Sequence, residues 1–218
     1  MAAPSLDKYR DYLSEEELKN TTWKFGPPNY DAVNKLFEEG RAQEWPVGSL
    51  EEKLQRLLFS FEMELVHKAN PDECKSVDTK KFLLSVNGRK DVTWEEIAKR
   101  GGSYNVFLET KLPEKFRVYD PEKETAESAL KIFMAAFPRG FAGEILEVYS
   151  GPPVMAFKYR HWAYMEGPFK EYPATGRLVE FFGVVTLTVD EKTNKLVRMN
   201  TYLDPGQFYE GLLGASSD

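Results

Sequence analysis

The chain is 218 residues long with 42% hydrophobic and 14% aromatic residues, enough apolar material for one well-filled core but too short for several domains. Its 35 acidic against 29 basic residues give a net charge of −6, and no cluster of Lys and Arg outruns its acidic neighbours, which argues against nucleic acid as the main partner. No apolar run approaches the roughly 20 residues that span a bilayer, and the single cysteine, Cys74, rules out an internal disulfide and a cysteine-based zinc site.

Residues 1–13 lack an apolar stretch of the signal-peptide kind and carry Asp7, Lys8, Arg10 and Asp11, so neither a signal nor a transit peptide is expected. With one cysteine, the expected compartment is the reducing cytoplasm, where the Asn20-Thr21-Thr22 sequon has no meaning. The first 48 residues are polar and aromatic, broken at Gly26-Pro27-Pro28 and Pro46-Val47-Gly48. They are read as an extension, 1–48, packing on a core domain, 49–218. Ala32, Val33, Leu36 and Phe37 predict one short helix over 31–41, too short to stand alone in water.

Ser49 with Glu52 forms a capping-box pattern, and the helix it starts runs to about residue 69, before Asn70-Pro71. Leu50, Leu54, Leu57, Leu58, Phe61 and Leu65 make its main stripe. Phe59, Met63 and Val66 form a second, roughly 150–180° away at about 100° per residue. Such a helix is sandwiched, one side on a sheet and the other under the extension. His67, about 130° from the main stripe by the same advance, is expected on the surface. Glu62 and Glu64 are assigned to solvated faces.

A strand over 82–86, a turn at Asn87-Gly88 and a helix over 94–99 follow. Gly101-Gly102-Ser103 lacks the lysine and strand of a phosphate loop and reads as a turn. Asp120-Pro121 marks a helix start whose buried face is Ala126, Ala129, Leu130, Phe133 and Phe137. Then the period changes. Runs over 141–149, 154–165, 178–189 and 196–203 are rich in Val, Phe, Tyr and Thr and predict an antiparallel meander, closed by a helix over 207–213. Helices first and strands afterwards give an α+β fold with helices packed on a curved sheet.

On the strand over 154–165, even spacing puts Met155, Phe157, Tyr159, His161, Ala163 and Met165 on one face. That face suits an apolar pocket wall with Tyr159 and His161 as its polar points. His161 reads either as a proton carrier near neutral pH or as a hydrogen-bonded core histidine. Lys158 and Arg160 share the opposite face with Trp162 and Tyr164, either a protein–protein contact or an ordinary half-solvated surface. Glu144 and Glu147 read as solvated. No His-Glu-x-x-His or Gly-x-Ser-x-Gly pattern supports a zinc peptidase or serine hydrolase.

Gly167, the turn Pro173-Ala174-Thr175-Gly176-Arg177, the strand Val179-Glu180-Phe181 and Asp204 after the last strand resemble the C-terminal half of SnoaL-like polyketide cyclases, in the nuclear transport factor 2-like superfamily. The runs KNTTWKFGPPNYDAVNKLFEEGR, EWPVGSLEEKLQRL, FPRGFAGEILEVYSGPPV and FKYRHWAYMEGPFK resemble the plant pathogen-related protein family over nearly the whole chain. The resemblance implies a cone-shaped α+β barrel with an interior pocket, no cofactor and no metal, a homodimer formed through the outer sheet face, and a setting in plant defence or specialised metabolism. Cyclases of this type use an aspartate helped by histidines. Asp204 falls on that aspartate, although before Pro205-Gly206 it reads first as a helix cap or turn anchor. The two histidine positions fall on Met165 and Met199, and a thioether carries no proton.

Two functions follow as expectations. The first is a non-catalytic accessory protein that holds an apolar metabolite through Met155, Phe157, Tyr159, Met165 and Met199, or docks on biosynthetic enzymes through the sheet face. The second is a cofactor-independent cyclase or isomerase of a polyketide or terpenoid-like substrate, with His161 and Asp204 as acid and base. A structural dimer whose cone is filled by its own side chains is the third possibility.

Overall fold

The computed structural model describes residues 6–214; the ends of the expected extension and core domain, 1–5 and 215–218, lie outside the described residues. The chain opens with α1 (Glu15–Asn20), which the sequence reading passed over, started by Ser14 accepting from the Glu17 amide. Next come α2 (Asp31–Gly40), the long α3 (Leu50–His67), β1 (Leu83–Val86), β2 (Val92–Thr93) and α4 (Trp94–Lys99). At the start of α3 the capping box is half made. Ser49 accepts from the Glu52 amide, but the Glu52 carboxylate turns to the Gly48 amide and to Arg56. The reciprocal box is complete at α4, between Thr93 and Glu96.

A further short helix, α5 (Ser103–Leu108), follows the glycine pair. Asp120-Pro121 starts a single 3₁₀ turn, Pro121–Lys123, and not the helix itself; α6 (Ala126–Ala136) begins at Thr125, which forms a capping box with Ser128. The last third is β3 (Ala142–Ser150), β4 (Val154–Tyr164), β5 (Leu178–Val189), β6 (Leu196–Leu203) and α7 (Pro205–Leu213).

The six strands form one open sheet in the order β2-β1-β6-β5-β4-β3. The meander from β3 to β6 is antiparallel, as expected. The sheet as a whole is mixed, because β1 lies parallel to β6, pairing Leu84 with Met199. Two register shifts in β3, between Ile145 and Glu147 and between Val148 and Ser150, bend that edge.

The two stripes of α3 go to different places. Leu54, Leu58, Phe61 and Leu65 pack with Phe157, Val185 and Leu187 of the sheet. Phe59 packs instead with Leu36 and Phe37 of α2 and with Ala142 and Trp162 of the sheet. Helix α2 thus lies against the β3 edge, where Trp45 donates to the Ile145 carbonyl and Gln55 accepts from the Ile145 amide. An edge strand covered this way offers little free backbone for pairing. A third cluster, under α6 and α7, joins Phe133, Phe137, Ala163, Met165, Phe169 and Phe208.

Two glutamates assigned to solvent are deep in the protein. Glu64 is fully buried and pairs with the equally buried Lys68 at 3.0 Å, while accepting from the Lys75 and Ser76 amides. Glu144 is buried where Arg160 meets it at 3.2 Å and the Ala42 amide donates to it.

Candidate functional site

The inward residues of β4 do not build one wall. Met155, Phe157 and Tyr159 join Met199 in the cluster under α3, whereas Ala163 and Met165 join the aromatic cluster under α6 and α7. All five of the expected ligand-binding side chains, Met155, Phe157, Tyr159, Met165 and Met199, are buried. Phe181 packs against both clusters, and its register partner on β4 is His161. The space at the boundary between the two cores is therefore the place where a pocket can open.

His161 is held there by its neighbours. Its ring lies over Gly143 of β3, where a Cβ would come within 2.9 Å of Nε2. Tyr159 meets it edge-on at 5.2 Å, and the Phe181 ring lies tilted against it at 5.3 Å. Nε2 faces Oε1 of Glu62, on α3, at 3.8 Å. Neither side chain hydrogen-bonds to another described residue. Burial pushes the Glu62 carboxyl up to about 7, with Arg10 pulling slightly the other way, and pushes the His161 imidazole down to about 4. Between those values both groups are neutral, so the contact is a facing pair of uncharged groups and not an ion pair.

Yet the side chains keep 39% (Glu62) and 21% (His161) of their surface accessible. Deep-set groups that still meet water are candidates to meet a ligand. Tyr104 of α5 shares the property. It stacks on Phe133 at 4.0 Å, is partly accessible, and its hydroxyl has no partner among the described residues. Burial, then the charge of Glu62, pushes it up to about 12. Tyr159 is raised to about 12 chiefly by burial, and its hydroxyl meets Thr201 Oγ1 at 3.4 Å.

The N-terminal segment reaches the same region. Arg10 lies 3.6 Å over the Tyr30 ring and bonds to Asn34 and Asp7. His67, expected on the surface, packs edge-on against Tyr30 at 5.9 Å. Its buried Nδ1 has no hydrogen-bond partner, and burial, helped by Lys24 and Arg10, lowers its pKa to about 4. The helical-wheel angle placed it correctly relative to the sheet, but the extension covers that side.

Asp204 is elsewhere. It is exposed, follows the inward-packing Leu203, and caps α7 by accepting from the Gly206 amide at 2.8 Å. Of its two readings the geometry is that of the cap, and the carboxyl facing His161 is Glu62. Glu62 was missed because it interrupts two apolar stripes; the available signal was that its helical neighbours Leu58, Phe59, Leu65 and Val66 are all apolar.

The expected docking face is half covered. Arg160 donates to the Gly40 carbonyl and to Glu180, and lies over Trp162 at 4.4 Å, while Trp162 is buried against Phe37. What stays open is a strip of Tyr164, Leu178, Phe182, Val184 and Tyr202. Among the described residues no three His, Cys, Asp or Glu side chains converge to hold a metal ion, and no helix is long and apolar enough to cross a membrane.

No protein-family model matches the chain. A protein of Hordeum vulgare named pathogen-related protein is 54% identical over 212 residues, covering 96% of this chain and 89% of its own. Among solved structures, one from Jannaschia named as a SnoaL-like polyketide cyclase is 13% identical, spans 80% of this chain and all of its own, and superposes with a TM-score of 0.42. AclR of Streptomyces galilaeus, named as a hydroxylase, is 13% identical over 78% of this chain and 85% of its own, with a TM-score of 0.45.

Proposed function

The chain belongs to the pathogen-related protein family, and from that premise we propose that it is a binding protein whose interior hollow holds a small, mostly apolar molecule. The observation that carries this reading is the pair Glu62 and His161: deep, still accessible, and without hydrogen bonds to the rest of the described chain. Accessible polar groups with no partner in the described chain are met by water, which a ligand can displace. The surrounding Tyr159, Phe181, Phe133 and Tyr104 supply the apolar lining such a site needs. The reading extends to an accessory role in plant stress or specialised metabolism, in the cytoplasm, as a homodimer whose ligand is supplied or taken by biosynthetic enzymes. Titration with the neutral apolar fluorophore N-phenyl-1-naphthylamine tests it. One site per chain is expected, displaced by apolar plant metabolites and lost when Glu62→Phe fills the hollow in a variant that still folds. Equal binding by that variant would sink the proposal.

A second reading, cofactor-independent cyclisation or isomerisation, is favoured by one observation: two facing proton carriers whose pKa values are pushed apart, to about 7 and about 4. In that reading Glu62, and not Asp204, partners His161. Glu62→Gln would then lower turnover of any substrate found by roughly a hundredfold or more, while leaving its binding in place.

A further inference from the structure

One stretch of the extension crosses the C-terminal end of α3 with few fastenings. Residues 25–29 make no hydrogen bond to α3 or to the sheet among the described residues, and Pro27 and Pro28 have no N–H to donate. Before them, the Lys24 amide donates to the His67 carbonyl at 2.8 Å and Lys24 Nζ to the Leu65 carbonyl at 3.0 Å. After them, the Tyr30 ring meets the His67 ring edge-on at 5.9 Å. Thr22 is fastened separately, by the Glu73 carboxylate and the Ala69 amide. His67 therefore lies under the crossing, and its buried Nδ1 has no hydrogen-bond partner. We propose that residues 23–30 form a pH-sensitive strap, hinged at Thr22, that lifts from α3 when His67 takes up a proton.

With the strap down, the geometry shuts the proton out. An imidazolium donates from both ring nitrogens, and Nδ1 is sealed where no acceptor reaches it. A charged donor left unmet in the interior is costly. The same nitrogen under a lifted strap meets water instead. Lifting gives up the two Lys24 bonds and one ring contact, whereas α3 itself is fixed by both of its stripes.

The charges around the ring act in the same direction. From the extension come Lys24 and Arg10, both cationic, and Arg10 lies 3.6 Å over the Tyr30 ring. Burial keeps the Tyr30 hydroxyl protonated and neutral. On α3, Glu64 is paired with Lys68, and Glu62 acts on Tyr30 and not on His67. Among the described residues no carboxylate offsets the two cations, and burial, helped by them, holds the pKa of the ring at about 4. Glu62 responds in the opposite sense, since burial favours its acid form, so only a change at His67 isolates the ring.

Hydrogen exchange of the full chain, read by NMR at the Lys24 amide with the amides of the central strand β5 as reference, tests the strap. An imidazole in water titrates near 6.5, so a lifted strap gains about thirtyfold in population from pH 7.5 to pH 5 over one that takes no proton. After correction for intrinsic exchange, the protection of Lys24 is expected to fall by that factor, while β5 keeps its own. His67→Phe keeps a ring against Tyr30 but cannot titrate, so the pH dependence at Lys24 should vanish. His67→Gln serves the same purpose where the phenylalanine variant fails to fold. Constant protection at Lys24 in the native protein, or an equal fall in the variant, would overturn the proposal. A matching fall across β5 would do the same, because it marks unfolding of the whole chain and not a lifted segment.

Discussion

The Tyr159 ring crosses the backbone of Gly183 so closely that a Cβ there would sit 2.6 Å from its atoms. The two residues are register partners on β4 and β5, and the missing side chain is what lets the tyrosine lie flat toward Thr201 on β6. Gly183→Ala should therefore push Tyr159 off its place and into the hollow. A loss of about 1–3 kcal/mol in urea unfolding is expected, the usual cost of overpacking, together with weakened fluorophore binding. Unchanged stability and binding would show that the ring moves freely and that Gly183 is not needed to seat it.

The titrating groups of the interior give opposite slopes over nearly the same pH window. Glu62 has a folded-state pKa above its unfolded one, so the stability it contributes is present below about 4.5 and lost as pH rises through about 7. His161 and His67 are depressed, so their contribution is present above about 6.5 and lost as pH falls through about 4. Glu62→Gln should thus match the native protein at pH 4.5 and exceed it at pH 8. The gain should be about 1 kcal/mol, less than the shift implies, because 39% of the side chain meets water. His67→Phe should gain progressively as pH falls from about 6.5 to about 4, the range in which the unfolded ring charges while the native one resists. Thermal unfolding across pH measures both; a Glu62→Gln advantage at acid pH would reverse the assignment.

Much of this architecture is legible in sequence because it depends on local patterns. The two stripes of α3, its Ser49 cap and the four long strands follow from spacing and turn chemistry within a dozen residues or so. The parallel pairing of β1 with β6 does not, because the partners Leu84 and Met199 are brought together by the whole intervening chain. Local patterns also misled where two strong signals compete. Asp120-Pro121 is a valid start, yet Thr125 and Ser128 offer the better box one turn later. At the site, the periodicity of β4 correctly gave its inward face, but a period says nothing about where one core ends and another begins. Glu62 and His67 fall between the two stripes expected for α3 and so read as solvated, but Arg10 and Tyr30 of the extension reach that side too.

The Glu64–Lys68 pair offers a test of what ties α3 to the chain beyond it. Both side chains are fully buried, and the carboxylate also holds the Ser76 hydroxyl and two backbone amides. Removing one partner leaves an uncompensated interior charge, so Lys68→Met should cost about 3–5 kcal/mol in chemical denaturation. The double variant Glu64→Leu with Lys68→Met should not recover fully, because the amides of Lys75 and Ser76 then lose their acceptor. Full recovery would mean those amides find other partners and that the network is only an ion pair.

The open strip on the outer sheet face supports the homodimer reading through its geometry. Register places Val184 beside Lys158 on one side and Tyr202 on the other, with Phe182 across from Arg160 and Leu178 across from Tyr164. Val184 is 40% and Tyr202 53% exposed, so the strip is a run of apolar side chains over three adjacent strands and not scattered single residues. The other half of this face is already taken by Gly40 and Phe37, which limits a partner to the β5–β6 side. Sedimentation velocity of the native protein should report twice the 25.1 kDa chain mass, and Val184→Asp, which puts a charge at the middle of the strip, should report one. Because Val184 points away from the hollow, fluorophore binding should survive in the monomer. A native protein that sediments as a single chain, or a Val184→Asp variant that stays dimeric, would remove the sheet face from the interface.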